Sequence, residues 1–219
     1  MALKTGGIID RLIEIAVEEA GIGADTMFVG RFAASLNPRE SQLSFCRNIV
    51  SKNRQHRLEY NNRALIYKPH GSLDWYFRDG NPVAYNGDLD GVPRLIITPG
   101  QNKFRNGYES PFDRHRDKAN EAVDKASRFL IIGYGFNDDH LETHLAPAIN
   151  SGKPTLMLAH TLSANALKLA MEHPNVTALE SFSEAGQAGT KLTVGKTQQF
   201  LPRLTIWDVH NFIDEVLEP

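Results

Sequence analysis

His70 stands in the run Leu65-Ile66-Tyr67-Lys68-Pro69-His70-Gly71-Ser72-Leu73-Asp74-Trp75. An apolar, strand-like stretch leads to the histidine, and a glycine and a serine then turn the chain. An imidazole on such a rigid support can reach a cleft and move a proton near neutral pH. The alternative is a structural histidine satisfied at a strand end, and the run alone weighs the two evenly.

A second constellation is Gly133-Tyr134-Gly135-Phe136-Asn137-Asp138-Asp139-His140. Glycines let a ligand come close to the backbone, and the start of the following helix offers free N–H groups. The third glycine of a dinucleotide fingerprint is missing. Asp138 and Asp139 would repel phosphate, but a carboxylate accepts well from ribose hydroxyls. The loop is therefore read as a nucleoside contact, against the alternative of a capped helix start. His140 and His144 stand four apart, a workable metal spacing. Glu142, however, lies roughly 200° around the helix from His140, so the general base of a zinc-protease helix is misplaced and no metal is expected. In Thr5-Gly6-Gly7-Ile8-Ile9-Asp10-Arg11, Asp10 either caps the first helix or offers a carboxylate to the cleft of His70.

These residues need elements to hold them. Asp10 to Ala20 reads as an amphipathic helix whose inner stripe is Leu12, Ile13, Ala16, Val17 and Ala20, stopped by Gly21. Residues 22–63 are polar and aperiodic, and are read as an irregular or partly helical insertion. Ala64 to Lys68 is a short strand leading to His70. Trp75-Tyr76-Phe77 and Val83-Ala84-Tyr85 flank Asp79-Gly80-Asn81 as a hairpin. Arg94 to Thr98 is a strand, and Pro111 to Ser127 a helix with Ala119, Ala122, Val123 and Ala126 on one face. Phe129 to Ile132 is a wholly apolar strand, followed by the glycine loop and a helix from Asp138 to Ile149. Pro154 to Ala159 is the next buried strand, and Ser163 caps the helix after it. Val176 to Leu179 is a further strand, then come a soft Ser183 to Gly189 stretch, Lys191 to Val194, and a closing helix with Ile206, Val209, Phe212, Ile213 and Val216. The back half alternates strand and helix, which implies parallel strands with helices packed on the faces. Such sheets bind ligands beyond the carboxyl ends of their strands.

The chain has 219 residues, 41% hydrophobic and 23% charged, with net charge −2. That is an ordinary soluble composition, with enough chain for one good core. No long basic run appears, which argues against nucleic acid as a partner; Lys52, Arg54, His56 and Arg57 read as a solvated loop. One cysteine, Cys46, excludes both an internal disulfide and a four-cysteine zinc site. No leader-like segment and no apolar run of membrane-spanning length appears, so a cytoplasmic protein with no membrane partner is expected.

Taken in order, these pieces resemble the sirtuin-like family, and especially its bacterial branch of zinc-free NAD hydrolases in anti-phage defence. Lys68 to Trp75 resembles that branch's catalytic-histidine segment, and Ile131 to His140 its second nucleotide-contacting loop. Ile9-Asp10-Arg11-Leu12-Ile13-Glu14 resembles the start of the helix after the family's asparagine-containing loop. Ile96-Ile97-Thr98-Pro99-Gly100 and the closing Trp207-Asp208 helix are also similar. The resemblance implies an α/β fold, a single domain over residues 1–219 with a parallel Rossmann-like sheet and helices on both faces. It implies His70 and Asp10 at the catalytic centre, and Gly133, Tyr134, Gly135, Phe136, Asn137 and Asp138 on the adenosine side. NAD would be substrate, cleaved to nicotinamide and ADP-ribose, and no zinc would be held. The family's asparagine falls on Ile8, and its glycine-rich first loop has no counterpart before Thr5. The resemblance thus implies a member missing its first βα unit, with a second copy or a second protein chain covering the gap. The alternative it leaves is a degenerate relative, weak or inactive in catalysis, acting as a binding or partner module.

Overall fold

The computed structural model describes residues 2–5, 10–52, 55–97, 109–137 and 139–218, with backbone alone for 2–5 and 139–141. In chain order the front elements are β1 (Ala2–Thr5), α1 (Leu12–Glu19), β2 (Gly23–Asp25), β3 (Phe28–Val29), β4 (Ala33–Leu36), α2 (Pro38–Ser44), β5 (Cys46–Lys52), β6 (Gln55–Tyr60), β7 (Arg63–Leu65), β8 (Gly71–Arg78), β9 (Asn81–Tyr85) and β10 (Arg94–Ile96). The back elements are α3 (Phe112–Lys125), β11 (Phe129–Ile132), α4 (Asp139–Asn150), β12 (Thr155–Ala159), α5 (Ala164–Glu172), β13 (Val176–Glu184), β14 (Gln187–Val194), β15 (Thr197–Pro202) and α6 (Val209–Phe212), which runs into a wider turn at Ile213–Leu217. They form two compact units. One joins the N-terminal strand to residues 119–219, and the other spans residues 8–118, so α3 straddles the division. None of the described helices is long and apolar enough to cross a membrane.

The first unit is a six-stranded sheet in the order β1-β11-β12-β13-β14-β15. The strands from β1 to β13 run parallel, as their alternation with helices dictates. The expectation of a parallel sheet throughout needs correcting, because β14 and β15 return antiparallel. The cause lies in the soft stretch at Ser183 to Gly189. Ala185 and Gly186 take φ of 50° and 78°, a two-residue turn of the primed kind that folds the chain straight back on β13 with no helix between. The core is Phe129, Ile131, Phe136, Leu145, Ile149, Met157, Val176 and Ala178, with small Ala166 and Ala170 letting α5 approach. Ser163 caps α5 as its sequence position requires, its hydroxyl accepting from the Ala166 N–H at 3.1 Å.

The second unit centres on an antiparallel sheet in the order β10-β8-β9-β4-β3. The β8–β9 hairpin turns on Asp79 and Gly80 at φ of 50° and 78°, with Arg78 opposite Asn81. Residues 22–63, expected to be irregular or partly helical, are mostly strand. Among the described residues they hold β2 to β6, the first residue of β7 and one short helix, α2, capped by Asn37 with Pro38 in its first turn. The reason is physical: β5 and β6 form a two-stranded ribbon exposed along most of its length, so no apolar alternation marks it.

The face of α1 also needs correcting. Of the expected inner stripe Leu12 is 69% exposed, and Ala16 and Ala20 are exposed as well, whereas Glu14, placed by periodicity outside that stripe, is buried at 7%. The stop at Gly21 is as the sequence implies. Ile22 N–H bonds the Val17 carbonyl and Gly21 N–H the Glu18 carbonyl, with Gly21 at φ 69°.

Candidate functional site

Lys68-Pro69-His70-Gly71 is a β-turn in which the Gly71 N–H donates to the Lys68 carbonyl at 3.0 Å. Proline presets φ in the second place, and glycine closes the turn in the fourth. Gly71 has φ +89°, and a Cβ there would stand 2.1 Å from the Leu95 carbonyl oxygen of β10. The Ile97 N–H then donates to the His70 carbonyl at 2.9 Å. The His70 backbone is thus fixed on both sides, and its side chain is half-buried. Gly71→Ala is expected to destabilise the chain by about 2–3 kcal/mol, through left-handed strain plus displacement of β10. A denaturant midpoint equal to that of the unsubstituted chain would show that the close approach is not needed.

Lys68 is the hub beneath this turn. Its ammonium meets the Glu14 carboxylate at 2.5 Å, with only 5% and 10% of the two side chains exposed. It also donates to the Asp10 carbonyl oxygen and, at 3.1 Å, to the Ser72 hydroxyl. Those contacts use the three donors an ammonium has. Ser72 passes the chain on, its hydroxyl donating to Asp74 Oδ1 at 2.5 Å. Asp74 in turn faces Arg11 Nε at 3.5 Å. The second oxygen of Glu14 has no hydrogen-bond partner among the described residues.

Asp10 and His70 therefore lie in one unit, their segments joined by Lys68. The Asp10 carboxylate itself serves the helix start, Oδ1 accepting from the Leu12 N–H at 3.0 Å. Ile8, Ile9 and the Thr98-Pro99-Gly100 segment lie outside the described residues.

From α3, His115 reaches the same turn. The Lys68 N–H donates to His115 Nδ1 at 3.2 Å, so the ring proton sits on Nε2, which has no partner among the described residues. The ring is fully buried, packed 4.4 Å from Trp75 and 6.1 Å from Phe28 between centroids. Burial pushes its pKa from 6.5 down to about 3, and the Lys68 ammonium adds to the effect.

In the first unit, the Gly133 loop leaves β11 with Gly133 N–H on the Leu158 carbonyl at 2.9 Å. Gly133, at φ +61°, is exposed, and nothing lies within 4 Å of where a Cβ would stand. Phe136 works from the inside. Its ring is 4% exposed and belongs to the core, and its carbonyl accepts from Asn165 at 2.7 Å. Ser163 donates to the Gly135 carbonyl, and Asn165 also reaches Asn137 Oδ1 at 3.1 Å. Tyr134 packs on Phe136 at 4.9 Å between centroids. Gly133 and Asn137 are the loop positions that face outward. Asp138 lies outside the described residues. On α4, His144 Nδ1 pairs with Asp124 at 3.0 Å, and no group of three potential metal ligands occurs among the described residues.

Sequence reasoning passed over Lys68, Glu14, Ser72, Asp74 and His115. A signal existed for Lys68, a lysine inside an otherwise apolar run, which when buried must find a counter-charge. His115 carried no such signal on a helix as polar as Asp113 to Lys118.

A family model described as a SIR2-like domain matches residues 9–175. No curated protein matches the chain. The matched span begins beyond β1 and stops one residue short of β13, so the closing helix at Asp208 also lies outside it.

Proposed function

Because the chain belongs to the SIR2-like domain family, we propose that it takes NAD as substrate and hydrolyses the nicotinamide–ribose bond, with His70 as general base. The finer placement, among zinc-free bacterial NAD hydrolases of anti-phage defence, rests on the Lys68 to Trp75 and Ile131 to His140 segments. A single cysteine, too few for a four-cysteine zinc module, agrees with it.

NAD supplies a cationic pyridinium that leaves with the electron pair of the glycosidic bond. Water forms the new bond to the ribose carbon, and its proton passes to the His70 imidazole, giving nicotinamide and ADP-ribose. The observation that carries this reading is the fixing of the His70 turn. Its backbone is held through the Gly71 and Ile97 N–H bonds, while the imidazole is half-buried. A base set in place before substrate arrives needs little further ordering in the transition state. The Gly133 loop suits a nucleoside for a separate reason, the open space beside the Gly133 backbone and the exposed Asn137 amide.

The test is nicotinamide release from NAD, followed by chromatography for the unsubstituted chain and for His70→Ala. A fall of about 100-fold or more in the variant is expected for loss of a general base. Equal, background-level release from both chains would overturn the reading.

A further inference from the structure

The Glu14–Lys68 pair joins, inside residues 8–118, the start of α1 to the turn that presents His70. We propose that this pair is a positioning device, in which the Lys68 ammonium, oriented by Glu14, holds the Asp10 backbone against the turn that presents His70. The inference rests on the hydrolase reading for its catalytic consequence, though not for its structural one.

Three observations carry it. First, Lys68 meets the turn with every polar group it has: its carbonyl closes the turn on Gly71, its N–H is held by His115, and its ammonium reaches Asp10, Glu14 and Ser72. Second, both side chains of the pair are nearly water-free. A buried ion pair of this kind contributes little net stability, since apolar side chains of similar size commonly replace one without loss. Third, an apolar replacement can fill the space but cannot hold the Asp10 carbonyl and the Ser72 hydroxyl by directional bonds. What the pair supplies beyond packing is therefore geometry, and Ser72 extends that geometry to Asp74 and Arg11 at the start of α1.

The test is the double variant Lys68→Met with Glu14→Leu, which leaves no unpaired buried charge. With NAD as the probe, kcat for nicotinamide release is expected to fall about 100-fold while KM stays within about threefold, the signature of misplacement rather than lost binding. In the same variant, amide exchange at Gly71 and Ile97 is expected to quicken about tenfold or more, with the β11 and β12 amides unchanged. Unchanged exchange at Gly71 and Ile97 in the double variant overturns the proposal, whatever the chain does to NAD. Background-level release from the unsubstituted chain with quickened exchange in the double variant overturns the hydrolase reading alone and upholds the positioning assignment.

Discussion

Lys68→Met alone is expected to lower stability by about 3–5 kcal/mol, far more than the double variant with Glu14→Leu. Methionine fills much the same volume, so the loss is not one of packing. The single change leaves the Glu14 carboxylate in a site where its side chain is 10% exposed and its other oxygen already lacks a partner. It also leaves the Asp10 carbonyl without the ammonium. The double variant removes the stranded charge and regains most of the loss, so the two changes couple strongly. Of the two tryptophans, Trp75 is buried at 2% in residues 8–118, and Trp207 lies in the other unit. Urea unfolding followed by fluorescence in a Trp207→Phe background therefore reports the relevant unit. Equal midpoints for single and double variants would show that Glu14 is not stranded.

Acidification is expected to weaken the same unit by about 5 kcal/mol between pH 6.5 and 3 through His115 alone. The folded ring titrates at about 3 against 6.5 for an ordinary histidine, first because it is buried and second because of Lys68. Between those values the unfolded chain binds a proton that the folded chain refuses. Stability thus rises with pH across the window, is complete above 6.5, and is lost on the way down. From pH 7 to 5 the share is about 2 kcal/mol, in a range where most carboxylates stay ionised. His115→Asn keeps an acceptor for the Lys68 N–H and does not titrate, so its midpoint should fall less over that range. Parallel pH dependence of the two chains would remove His115 as the cause.

The parts of the fold that were legible are those where local chemistry and tertiary setting agree. Phe129 to Ile132 is apolar at every position and lies inside a sheet. Asp79-Gly80 supplies the left-handed pair that a two-residue hairpin needs, and Ser163 and Gly21 bound their helices by backbone bonds that their side chains or φ angles permit. The illegible parts depend on distant partners or on exposure. Nothing near Glu14 announces burial, because its partner lies 54 residues further along the chain. The β5–β6 ribbon hides from periodicity because it shows most of both faces to solvent. Of the candidate site, the Lys68 to Ser72 run marks the turn itself. The side chains that steady it from α1 and α3 are found only when the chain is folded.

One boundary of likeness falls inside a packed core. The span that the SIR2-like family model matches ends at residue 175, yet Val176 and Ala178, both without exposed surface, belong to the same core as Phe129 and Met157. Cutting where the matched span stops would strip β12 of one of its two neighbours and open that core to water. What must fold together therefore extends past the matched span, and the strands after residue 175 are part of the load-carrying frame.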